Sequence, residues 1–167
     1  MRKIIPILII LLTIISELFA CDCTEITVQE GIKNADVVVV GTIISKKEVT
    51  LTPDPSFVKD KTKFYLKTLS IFQYTLSVES IYKGDITTKT ITIFSFESFG
   101  GSTCGYDFVV GKKYIIYGNK ESNKRFMYEN FSFPKGENIF WTHLCTRTKL
   151  FKQEEITEIE KYAEKQR

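Results

Sequence analysis

The sequence predicts a mainly β domain, a small barrel or sandwich of about five short strands with flanking helices. Three observations carry this. Runs rich in β-branched and aromatic residues recur along the chain, turn-forming residues punctuate them, and the strand–helix–strand alternation that builds a parallel sheet is missing. A clear helical stripe is confined to the C-terminal end.

Taken in order, residues 25–35 read as a short helix or turn that breaks at Asp36. The run Val37-Val38-Val39-Val40-Gly41-Thr42-Ile43-Ile44 is dense in β-branched side chains and predicts a strand. Residues 47–62 hold Pro53, Pro55 and several charges, so a surface loop is expected there. Over 64–81, Phe72, Tyr74, Leu76 and Val78 alternate with other residues as a second strand, closed by a turn at Tyr82-Lys83-Gly84-Asp85. Lys89-Thr90-Ile91-Thr92-Ile93-Phe94 alternates polar with apolar, as a half-buried strand should. A glycine- and serine-rich loop over 98–105 carries Cys104, and a turn over 108–113 leads into the strand Tyr114-Ile115-Ile116-Tyr117-Gly118. Residues 119–124 read as a polar hairpin turn, 125–133 as another strand, and 141–145 as the close of the β-rich part. Finally, Ile156, Ile159 and Tyr162 share one helical stripe, with Glu154, Glu155, Glu158 and Glu160 expected on a solvated face.

The first twenty residues have the layout of a secretory signal: Arg2 and Lys3, an apolar run over 4–15 interrupted by Pro6 and Thr13, and Ala20 at the cleavage position. Such a run falls short of the roughly 20 residues that cross a bilayer as a helix. The expected division is a signal at 1–20, one domain over 21–147, and an amphipathic helix over 148–167, packed on the domain or extending from it. A secreted, extracellular or periplasmic monomer without a transmembrane span is expected. Without Arg2, Lys3 and Glu17 the chain carries 21 basic and 19 acidic residues. That balance supplies no dominant basic face and argues against nucleic acid as the partner.

All four cysteines, at 21, 23, 104 and 145, follow the signal, and cleavage makes Cys21 the first residue. In an oxidising compartment an even count predicts two disulfides. Cys21 and Cys23 point to opposite faces of an extended chain and do not suit one another. Two pairings remain, each stapling the N-terminus to distant segments and worth on the order of 4 kcal/mol per bridge; spacing does not choose between them. No C-x2-C pair suggests a zinc site, and a lone histidine, His143, is far more often packed or on the surface than a ligand. Serine-nucleophile and phosphate-loop motifs are missing, and Gly100-Gly101 fits a turn. The chain reads as a binder without an intrinsic cofactor, not an enzyme.

The Cys-x-Cys start is followed by Asn34-Ala35-Asp36-Val37-Val38, Tyr82-Lys83-Gly84, Cys104-Gly105 with Phe108, Gly111-Lys112-Lys113-Tyr114-Ile115-Ile116, and Thr142-His143-Leu144-Cys145. Together these resemble the N-terminal, netrin-like domain of tissue inhibitors of metalloproteinases, over about 21–145. The resemblance implies a five-stranded OB-fold-like Greek-key barrel with flanking short helices, and it pairs Cys21 with Cys104 and Cys23 with Cys145. It also implies a secreted inhibitor of zinc metalloendopeptidases. The Cys21 α-amine and carbonyl oxygen would chelate the target's catalytic zinc, a metal met only in trans. Cys21, Asp22, Cys23 and Thr24, with Gly101-Ser102-Thr103 beside them, would form the protease-binding edge. The chemistry suits the task, because a catalytic zinc keeps an open position for nitrogen and oxygen ligands. An α-amine, with a pKa near ~8, is neutral in useful amounts where a lysine near ~10.4 is not.

The chain departs from the family pattern in three places. Lys33 stands where a third cysteine is expected, and that cysteine's partner is missing too. A charged helix stands where the family continues into a cysteine-rich second domain. Asp22 holds the position whose side chain enters the protease's specificity pocket, normally small or apolar; a carboxylate there costs on the order of several kcal/mol in desolvation and repulsion unless paired. Two alternatives follow: a netrin-like binding or structural module without inhibitory activity, and a lipoprotein anchored through Cys21, since Leu18-Phe19-Ala20-Cys21 partly matches a bacterial lipobox.

Overall fold

The structure, a computed structural model, describes residues 23–53, 68–97, 104–121 and 131–164. Helix α1 (Val28–Asn34) begins at a capping box: the Thr27 hydroxyl accepts from the Glu30 N–H at 3.2 Å, and the Glu30 carboxylate accepts from the Thr27 N–H at 2.8 Å. At its other end the Lys83 ammonium donates to the carbonyls of Ile32 (2.7 Å) and Ala35 (2.5 Å), a cation set where helix carbonyls lack partners.

Strand β1 (Val37–Leu51) pairs antiparallel with both β2 (Leu69–Lys83) and β4 (Lys113–Gly118). Its first four valines are all buried, because each face of the strand meets a different core. Val37 and Val39 point inward with Ile43, Tyr74, Leu76, Ile91, Ile93, Phe108, Tyr114 and Ile116. Val38 and Val40 point outward and are covered by Val28 and Ala35 on one side and by Ile156 and Ile159 of helix α2 (Gln153–Glu164) on the other. Gly41 lies at one of three register shifts between β1 and β2; a Cβ there would fall 2.2 Å from the Ser77 carbonyl oxygen, so the sharp coil of β1 requires glycine.

Strand β2 pairs antiparallel with β3 (Thr90–Phe96), which pairs in parallel with the short β5 (Ile139–Trp141). The two-residue β6 (Lys149–Leu150) lies against β4. The sheet order is therefore β5-β3-β2-β1-β4-β6. Beyond these ladders, Asn119 and Trp141 exchange a pair of hydrogen bonds of 2.9 and 2.7 Å, tying the end of β4 to β5. This bridge completes the circuit β1-β2-β3-β5-β4-β1, a barrel-like, OB-type arrangement of five strands to which β6 is an appendage. A third cluster plugs one end, where Phe94 stacks on Trp141 at 5.1 Å and Phe133 meets Trp141 edge-on at 5.2 Å.

Several sequence expectations change. The loop expected from residue 47 starts later, because β1 continues to Leu51 as a ribbon with β2. Lys46, Lys47 and Glu48 are exposed there, and beyond them Val49 and Leu51 pack against the cluster of Leu69, Ile71 and Phe131. Of the strand expected over 125–133, residues 125–130 lie outside the described residues; Phe131 makes one isolated bridge to Pro53, and Phe131 and Phe133 serve the third core instead. The last strand stops at Trp141, and Leu144-Cys145 is a turn. Glu155, expected on a solvated face, is 6% exposed. The signal expected at 1–20 lies outside the described residues, and among those described no helix is long and apolar enough to cross a membrane.

Because Ile159 is 1% exposed and fills the outer core, Ile159→Ala is expected to cost about 2–5 kcal/mol. A fall in the urea midpoint at unchanged m-value checks this; an effect near zero would mean that α2 does not cover β1.

Candidate functional site

Residues 23–27 run in an irregular stretch before α1 and lie against the return segment 142–148. Cys23 is disulfide-bonded to Cys145, with Cα atoms 5.0 Å apart across 122 residues of sequence. Cys104 is also disulfide-bonded, and its carbonyl accepts from the Leu144 N–H at 2.9 Å. Cys104 therefore lies beside the Cys145 turn. Its φ of +49° is a left-handed conformation that a non-glycine residue adopts only under constraint. The next residue explains part of that constraint: a Cβ on Gly105 would lie 1.8 Å from the Phe96 carbonyl oxygen, so the chain presses directly onto the end of β3. The Tyr106 N–H then donates to the buried Ser95 hydroxyl at 2.6 Å.

The return segment crosses the barrel end on hydroxyl groups. Thr142 donates its N–H to the Phe94 carbonyl at 3.0 Å, and its hydroxyl contacts those of Thr146 (2.6 Å) and Thr148 (2.7 Å). Thr148 in turn accepts from the Tyr117 N–H at 2.9 Å. His143 is a turn residue whose Nδ1 accepts from the Cys145 N–H at 3.2 Å.

Beneath the N-terminal stretch lies an ionic cluster. Arg147 Nε and Nη2 donate to Glu155 Oε1 and Oε2 at 2.5 and 2.9 Å, while Nη1 donates to the Ile26 carbonyl. Glu155 also accepts from Lys149 (3.0 Å) and from the Tyr117 hydroxyl (2.8 Å). Burial pushes the Glu155 carboxyl up, but the hydrogen bonds from Arg147, Lys149 and Tyr117 outweigh it and hold the carboxyl below its ordinary value. Burial, reinforced by the neighbouring carboxylate, pushes the Tyr117 hydroxyl up, so it stays a donor.

The structure thus brings Cys23, Thr24 and Cys145 together, with Cys104 adjacent; Cys21, Asp22, Gly101, Ser102 and Thr103 lie outside the described residues. Around Cys23, Thr24, Leu144 and Arg147 there is a shallow open depression of about 240 Å³, the shape of a docking edge more than of an enclosed pocket. Sequence reasoning missed Arg147, Glu155 and Leu144. The available signal was Glu155 adjoining Ile156 and four residues before Ile159, an acid on the buried stripe that calls for a cation.

A protein-family model described as tissue inhibitor of metalloproteinase matches residues 19–136. No curated protein matches the chain.

The lowered Glu155 value sets a direction for acid stability. Its contribution is complete above the ordinary glutamate value of 4.5 and is lost as pH falls below this through the lowered folded value. Glu155→Gln should therefore flatten the pH dependence of the urea midpoint below about pH 4.5 and cost about 3 kcal/mol at neutral pH, by leaving Arg147 without its anion. Parallel profiles for the two proteins would refute the assignment.

Proposed function

The chain belongs to the tissue inhibitor of metalloproteinase family, and from that premise we propose that it inhibits zinc metalloendopeptidases through its N-terminal edge. The observation that carries this reading is the clamp on Cys23: the segment that would follow a free Cys21 amine is cross-linked to the return segment before it enters α1. A short, tethered N-terminus loses little freedom when it docks, and that lowers the cost of association.

In this reading, signal cleavage leaves Cys21 as the first residue of an exported protein. Cys23–Cys145 is in place and Cys104 is committed to a disulfide, which supports pairing Cys104 with Cys21, the remaining cysteine. The Cys21 amine, once neutral, and the Cys21 carbonyl oxygen then approach the open position of the target's zinc as nitrogen and oxygen donors. Thr24 and the loop Gly101-Ser102-Thr103 flank them and extend the contact. Asp22 projects into the specificity pocket and weakens or restricts binding, since its carboxylate must shed water beside the protease's own acidic machinery. A second reading, a netrin-like binding module that does not chelate zinc, is favoured by Asp22 and by the missing third disulfide, at whose position Lys33 stands.

The mature protein with its authentic N-terminus should inhibit at least one member of a broad panel of zinc endopeptidases, and an alanine added before Cys21 should abolish that inhibition. Inhibition that survives the added residue would exclude chelation by the amine. Asp22→Ala should lower Ki by about 10–100-fold through removal of the buried carboxylate; an unchanged Ki would mean that residue 22 stays outside the pocket. Mass spectrometry of the native N-terminus discriminates further, because an added lipid mass would rule out a free amine.

A further inference from the structure

Among the contacts that hold residues 23–27, one has no part in the chemistry just described: the Arg147 guanidinium on the Ile26 carbonyl. We propose that Arg147 and Glu155 are positioning residues, through which helix α2 sets the path of the N-terminal segment toward the protease-binding edge. The functional consequence rests on the inhibitor reading; the ordering of the segment does not.

The disulfide at Cys23 fixes residues 24–26 at one end only, and a Cys21–Cys104 bridge, lying on the other side of Cys23, adds nothing to their direction. A contact within the stretch is needed to give it a direction, and the one at Ile26 supplies it. The capping box then carries the constraint into α1 at Thr27. The guanidinium suits the role because it is a planar fork. Glu155 engages Nε and Nη2 along one edge, and with those fixed, the direction of Nη1 is fixed as well. Glu155 is held in turn by Lys149 and by the Tyr117 hydroxyl, so the carboxylate cannot rotate to follow the arginine.

The surroundings are shaped to the same end. A Cβ on Gly31 would come within 3.0 Å of the Tyr117 ring and 3.1 Å of Arg147 Cβ, so the glycine face of α1 leaves the room in which the arginine stem lies. The Arg147 and Glu155 side chains are 14% and 5% exposed, which keeps water from competing for either. Both residues lie beyond the stretch 19–136 that the family model matches. Without that contact residues 24–26 would be held only by Cys23 and by the cap at Thr27, and would have to be ordered at the moment of docking.

The test uses the mature, disulfide-bonded protein carrying Arg147→Met together with Glu155→Gln. This pair removes both charges at once and leaves an acceptor for the Tyr117 hydroxyl and Lys149. Backbone order parameters from 15N relaxation for residues 24–26 should fall from about 0.85 to below about 0.6, with those of β1 and β4 unchanged. Ki for an endopeptidase that the wild type inhibits should rise about tenfold or more, the cost of ordering the segment on binding. Unchanged order parameters would overturn the proposal, as would a loosened segment with an unchanged Ki. Should the double variant not fold, Arg147→Lys serves instead: one ammonium keeps the charge opposite Glu155 but lacks the fork that reaches Ile26, and the same results decide. If the wild type inhibits no endopeptidase, the inhibitor reading fails, and the order parameters alone judge the positioning role.

Discussion

Val37, Val38, Val39 and Val40 must be covered on both faces, and this constraint organises the rest of the molecule. A strand presents alternate side chains to opposite sides, so four consecutive valines demand two cores. The inner one is filled by β2, β3 and β4 and by Phe108 and Tyr114. The outer one needs helices, and α1 alone is too short to supply it. Helix α2 therefore packs with Ile156 and Ile159 over the same strand, making the C-terminal helix part of the domain's core. To deliver that helix the chain has to travel back across the barrel end after β5.

The return journey creates the candidate site. Backbone groups buried at this crossing need partners, and threonine hydroxyls supply them: Thr142 donates to the Tyr117 carbonyl, Thr146 to the His143 carbonyl, and Thr148 accepts from the Tyr117 N–H. The same stretch holds Cys145 and Arg147, each of which reaches the N-terminal segment, at Cys23 and at Ile26. The two attachments differ in kind. The disulfide acts mainly by restricting the unfolded chain, whereas the arginine acts only once α2 has docked and Glu155 is in place.

The parts of this arrangement that rest on local pattern were legible in the sequence. The valine run, the alternation of Ile91 and Ile93 and the Ile156–Ile159 stripe all follow from the periods of strand and helix. Motif resemblance carried the fold further, to an OB-type barrel. The outer half of β1 was hidden because Lys46, Lys47 and Glu48, with Pro53 and Pro55 beyond, read as loop, although Val49 and Leu51 alternate and pack inward. Phe131 and Phe133 looked like strand residues because burial alone selects the same side chains. Glu155 was hidden for a different reason. Its cation sits in an irregular segment eight residues earlier, off the helix, so no i,i+4 pairing announced it.

The parallel pairing of β3 with β5 has a consequence for the order of events in biosynthesis. All of β1 to β4 emerges before Ile139–Trp141, yet the Asn119–Trp141 bridge is what joins the two ends of the circuit. Until those three residues arrive, β3 is an unprotected strand edge, open to pairing with a neighbouring nascent chain, and β4 waits longer still for β6. A three-residue strand late in the sequence thus covers the open edge of β3 and joins it to the end of β4.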